Sequence, residues 1–140
     1  MVNSKIGELH DTIEKDIIEL EQWLNKTIFQ SEKDAQTKKE RCEICSSQEQ
    51  LSALELHHIA GRKHDYRTIT SCLKCHRILS DRQKIWDKRW LVPNQPMQLC
   101  TGFFLIGLYD ILTVKAEKTC NSTYKLLAGK LVETISILLR

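Results

Sequence analysis

The sequence predicts a mostly helical protein with a small strand–loop–strand–helix module, held by cysteines, at its centre. Three observations predict it. Apolar residues recur at spacings of three and four near both ends of the chain. Two short β-prone runs interrupt that pattern in the middle. Two C-x-x-C pairs flank those runs.

The first element is a long amphipathic helix. Ile6, Leu9, Ile13, Ile17, Leu20, Leu24 and Ile28 form one apolar stripe, with Glu and Lys filling the other faces. His10 on this helix reads as solvent-facing. The stripe is too apolar to leave bare, so it predicts burial against the C-terminal helices or a homodimer through the N-terminal or C-terminal helices. The stretch from Gln30 to Glu40 has almost no apolar residues and reads as an exposed helical extension or a linker.

The centre follows. Leu54-Glu55-Leu56-His57-His58-Ile59 alternates like a short strand, and Gly61 permits a tight loop. Thr68-Ile69-Thr70-Ser71 is β-branched and predicts a second strand. Lys74 to about Lys88 reads as helical, with an interruption near Ser80-Asp81 where an N-cap fits. Trp86 and Trp90 lie four apart, as on one helical face, and read as core. Pro93 to Pro96 closes the section. Phe103 to Val114 is apolar on nearly all sides, which predicts a buried helix rather than a membrane span. Cys120 to Thr123 marks a turn, and Leu127, Leu131, Ile135 and Leu138 line a last amphipathic helix. The expected organisation is therefore residues 1–40, an N-terminal helix; 41–92, the cysteine-bearing core; and 93–140, a C-terminal helical extension.

Composition narrows the function. With 140 residues, the chain is long enough for one domain with a core. At 41% hydrophobic and 28% charged it reads as ordinary globular. The net charge of +3 is unevenly spread. Met1 to Arg41 carries seven Lys and Arg against nine Asp and Glu, a balance of −2. His57 to Leu91 carries nine (Arg62, Lys63, Arg67, Lys74, Arg77, Arg82, Lys84, Lys88, Arg89) against three (Asp65, Asp81, Asp87), a balance of +6. Such a field suits a polyanion such as nucleic acid, and it reads equally as a solvated basic face. The N-terminus is polar and shows no secretory signal, so a cytoplasmic protein with no membrane role is expected. In that setting the six cysteines point to metal or free thiols rather than disulfides.

The cysteine spacing is specific. Cys42-Glu-Ile-Cys45 and Cys72-Leu-Lys-Cys75 are separated by 26 residues. Each C-x-x-C turn aims two thiolates at one ion, and two turns complete the tetrahedral set that structural zinc prefers. An ion with four sulfurs has no open position, so its expected task is folding. Cys100 and Cys120 lie outside the pattern and read as buried apolar residues or free thiols. The zinc leaves His57, His58 and His76 free for another task.

The run of Cys42, Cys45, "LELHHIAGRKH", Cys72, Cys75 and His76 resembles the zinc-bearing branch of the HNH endonucleases, from about Arg41 to Trp90. The resemblance implies a ββα-metal, treble-clef-like finger and a metal-dependent hydrolase that cuts DNA to a 5′ phosphate and a 3′ hydroxyl. It implies that His58 is the general base and that His57 and His76 hold one catalytic divalent cation (Mg, Mn, Ni or Zn). Adjacent strand residues face opposite ways, so this requires the strand to twist or end at His57-His58. The family's middle Asn, which orients the base, has no counterpart between His58 and His76; by position His64 is the stand-in. Some members place a further histidine one turn after the helix histidine, and here that residue is Ser80. Arg62, Lys63, Arg77 and Arg82 are the expected phosphate contacts. The competing reading is a catalytically degenerate zinc module that binds nucleic acid or a protein partner. A third is a helical interaction protein with the finger as scaffold.

Overall fold

A computed structural model of the protein describes residues 2–140. The chain divides into two compact units, Met1–Gln30 and Ser31–Arg140. The first is a single helix, α1 (Val2–Ile28). Along its predicted stripe, Ile6, Leu9, Ile13, Ile17 and Ile28 are exposed.

The second unit opens with a one-turn helix, α2 (Glu32–Ala35), where the sequence left an extension or a linker open. Ser31 caps it by accepting the Asp34 amide at 3.2 Å. The chain then forms a tight turn through Cys42 and Cys45 and enters the hairpin. Strands β1 (Leu54–His58) and β2 (Thr68–Cys72) pair antiparallel in five steps, from Leu54 with Cys72 to His58 with Thr68. Helix α3 (Leu73–Gln83) follows β2 directly. It passes Ser80 and Asp81 without the interruption the sequence suggested, and it ends at Gln83, short of Lys88.

The two tryptophans therefore do not share a helix. Trp90 sits in a separate 3-10 turn, Lys88–Leu91, capped by the Asp87 carboxylate on the Arg89 amide. Their rings still meet edge to face at 5.4 Å. Each indole N–H ties the segment to the unit, Trp86 to Asp110 at 2.9 Å and Trp90 to the Ala60 carbonyl at 2.9 Å.

Helix α4 (Met97–Thr119) is the central element. It is long and apolar enough to cross a membrane by composition, but 56% of that stretch is buried within the protein, as expected of a core helix. Phe103, Phe104, Leu108, Ile111, Leu112 and Val114 fill the core. Gly107 lets the helix backbone press on the hairpin: a Cβ there would lie 2.0 Å from the Ile59 carbonyl oxygen. The segment after α4 turns at Cys120, whose φ of 54° is left-handed, and the Asn121 carboxamide accepts the Thr123 amide. The last helical segment runs in two pieces, α5 (Thr123–Gly129) and α6 (Val132–Leu138). The architecture is thus mostly helical, with a ββα module between an N-terminal helix and C-terminal helices.

Candidate functional site

The four predicted cysteines converge. The sulfurs of Cys42, Cys45, Cys72 and Cys75 all lie within 4.8 Å of one another, and Cys45 Sγ is 3.8 Å from Cys72 Sγ. Zinc–sulfur bonds of about 2.3 Å in a tetrahedron place sulfurs roughly 3.8 Å apart. The donor set and its spacing both fit zinc.

Local structure explains the convergence. Ser46 takes a left-handed φ of 62° and donates its amide to the Cys42 carbonyl at 2.9 Å, which closes the first turn. The Cys45 amide points at Cys42 Sγ at 3.5 Å. Glu43 then pins this turn to β2: its amide donates to the Thr70 carbonyl, and its carboxylate accepts the Thr70 amide at 2.7 Å. Lys115 of α4 donates to the Glu43 carbonyl at 2.7 Å. Cys72 ends β2 and Cys75 sits in the first turn of α3, so the second pair is placed by the strand–helix junction.

Burial raises the Cys42 and Cys75 thiols above the usual range. Burial also raises Cys45, but hydrogen bonds, led by Ser47, outweigh it and hold that thiol at about 7. Bound zinc takes thiolates, so loading must expel protons from the buried pair.

The histidines behave differently. His57 is buried, and its ring meets His76 edge-on at 5.3 Å. Glu55, on the same strand face two residues before His57, accepts His76 Nδ1 at 3.0 Å. The Gln83 amide nitrogen lies 3.5 Å from His57 Nε2 and 3.4 Å from the His58 carbonyl. An amide nitrogen only donates, so His57 Nε2 accepts. Burial, then His76 and His58, hold His57 at about 3, so it is neutral. The ladder stays regular through the His58–Thr68 pair, and His58 therefore faces the other side of the hairpin from His57. There it lines a cleft with Leu56, Arg62 and Tyr66. Burial and the Arg62 guanidinium lower its imidazole, and Asp65 partly opposes them.

His64 is not brought to the His57–His76 pair. Its Nε2 lies 2.6 Å from the Trp90 carbonyl, and its ring leans on Phe103 at 4.9 Å. Arg82 bonds Asp110 at 3.4 Å and Glu117 at 3.8 Å, so it is engaged in the fold. Arg62 and Lys63 line a pocket near Trp90, and Arg77 is exposed on α3. Cys100 is half-buried and Cys120 exposed; both are free.

Two residues at this site were missed by sequence reasoning, and both had a signal. Gln83 lies two helical turns after His76, on the same face. Glu55 shares the strand face of His57 by simple alternation.

Among the described residues the other metal-capable cluster is His10, Asp11 and Glu14, all exposed on α1. Comparison with protein-family models, curated proteins and solved structures finds no match. Fold and site together define a ββα module with a four-cysteine cluster, an arrangement consistent with a structural zinc site. Its architecture is consistent with the nuclease-like arrangement that the sequence resembles.

Proposed function

We propose that this protein is a zinc-folded ββα module that binds nucleic acid without cutting it. The observation that carries the reading is the separation of the histidines by the regular β1 ladder, with His57 on one face and His58 on the other. A general base and a metal ligand serve one phosphate only when both reach it. Gln83 supports the same reading, because its amide donates to the lone pair a cation on His57 would need. Ser80, in the position of a third ligand, offers only a hydroxyl.

The basic face supplies the binding chemistry. Asp65, Asp81 and Asp87 are each paired with a neighbouring Arg or Lys. Arg62, Lys63, Lys74, Arg77 and Lys88 carry no ion pair among the described residues. They are the proposed phosphate contacts, and the Lys and Arg field is the source of affinity.

A metal-dependent nuclease is the second reading. The Glu55–His76 bond favours it, since ligating histidines commonly donate their other N–H to a carboxylate. The test is binding and plasmid nicking side by side, with Mg, Mn, Ni and Zn supplied in turn. The proposal expects salt-sensitive binding and no nicking above buffer. Nicking that falls roughly 10²–10⁴-fold in His58→Ala, with zinc content kept, would establish the nuclease instead.

A further inference from the structure

The loop between the strands is a rigid mount. Ile59 donates to the Arg67 carbonyl, Gly61 to His58, and His64 and Asp65 both to Gly61. Gly61 holds a φ of 90°, and a Cβ there would meet Trp90 Nε1 at 2.6 Å. The Asp65 carboxylate takes the Arg67 backbone amide at 2.8 Å and its guanidinium at 2.7 Å. That guanidinium lies 3.7 Å above the Phe104 ring. Arg62 and Tyr66 therefore project from a backbone that is already fixed.

They project onto a cleft of about 540 Å³. Leu56, His58, Arg62 and Tyr66 line it from the hairpin, Glu32 and Ala35 from α2, and Gln36 from the residue that follows α2. The volume is that of a small-ligand site. Its chemistry is graded. His58 and Arg62 suit one phosphate. Tyr66, 43% exposed, offers an aromatic surface. Gln36 and Glu32 suit the polar edge of a base, and the Glu32 carboxylate repels a second phosphate. Bases in a duplex are stacked inside it and do not enter such a cleft.

We propose that this cleft takes one unstacked nucleotide of a single strand, its phosphate at His58 and Arg62 and its base against Tyr66. The proposal rests on the nucleic-acid reading above and specifies the form of strand bound. Base–aromatic stacking tolerates any base, so the preference is for strand form rather than sequence.

Fluorescence anisotropy on the full, zinc-loaded chain tests it, with a short labelled single-stranded DNA and its own duplex as probes. The single strand is expected to bind more tightly. Tyr66→Ala should weaken single-strand binding by roughly 5- to 150-fold, the worth of one stacked base, and leave duplex binding unchanged. Tyr66→Phe should retain single-strand binding. Zinc content measured on each variant reports whether the fold is intact, and Arg62→Ala, at an exposed side chain, should lower the salt slope of single-strand binding by about 0.7, the share of one phosphate contact. Equal binding of both probes, unaffected by Tyr66→Ala, would overturn the cleft proposal and leave the nucleic-acid reading standing. Failure to bind either probe would overturn both.

Discussion

The sulfur site and the histidine site share one hairpin and one helix, yet only the first brings all its members together. Four sulfurs meet within 4.8 Å because one tight turn and one strand–helix junction aim them inward. His57 and His58 sit on a continuous ladder whose alternation sends them to opposite faces, so only His57 meets His76 of α3. The contrast teaches that closeness in sequence has opposite meanings in a turn and in a strand. In a C-x-x-C turn, nearby residues share a target; on a strand, adjacent residues part.

The largest effect should come from removing a sulfur. Cys72→Ser is expected to abolish zinc binding and the cooperative thermal transition, because the metal's binding energy is folding energy. A variant that melts like wild type without zinc would break the comparison at its firmer half.

Asp110 comes next, since it anchors the segment after α3 to α4. It is 7% exposed and accepts from both Trp86 and Arg82. Asp110→Ala should cost about 1–3 kcal/mol in chemical denaturation, because it leaves the Trp86 indole N–H without its acceptor and Arg82 with Glu117 alone. Burial raises this carboxyl above its usual range, with Trp86 and Arg82 opposing. A raised acid binds its proton longer in the folded state than in the unfolded one. Its contribution is therefore full below the unfolded value and declines as pH rises through the folded one. Asp110→Asn removes that decline, so its stability relative to wild type should improve as pH rises from about 4. Denaturation curves over a pH series check the slope.

A smaller effect sharpens the histidine half. Gln83→Ala removes the amide that donates to His57 Nε2. It should leave zinc content at the sulfur site unchanged and cost at most about 1.5 kcal/mol, the net worth of an ordinary hydrogen bond. Calorimetric denaturation together with metal analysis would reveal a larger loss or a missing zinc.

The smallest effect lies at Ser46, with its left-handed φ of 62°. Ser46→Gly should relieve about 1–2 kcal/mol of strain. The extra freedom of glycine in the unfolded chain offsets roughly 0.5–1 kcal/mol of that. A rise in melting temperature of a few degrees or less, with zinc retained, is the expected reading.

These outcomes follow how legible each part was. The zinc cysteines could be read because C-x-x-C spacing is a local geometric rule. The core helix was evident because Phe103 to Val114 is apolar on nearly every side. The role of Asp110 in that helix was not legible, since its partners Trp86 and Arg82 lie 24 and 28 residues away and are joined to it only by folding. The histidine pair showed residue types but not directions; those depend on whether β1 stays paired to its last residue. The end of α3 at Gln83 was invisible because no glycine or proline marks it. The last helical segment divides just after Gly129, a residue that commonly ends helices, whose punctuation the apolar stripe from Leu127 to Leu138 obscured.

Metal stoichiometry tests the central contrast most directly. Wild-type protein and the His57→Ala/His76→Ala double variant are equilibrated with excess zinc, dialysed, and analysed by mass spectrometry for bound metal per chain. The sulfur site alone should hold an ion, so both proteins should retain a single zinc. Two zincs in wild type, falling to one in the double variant, would contradict the account and restore a second, histidine-held cation.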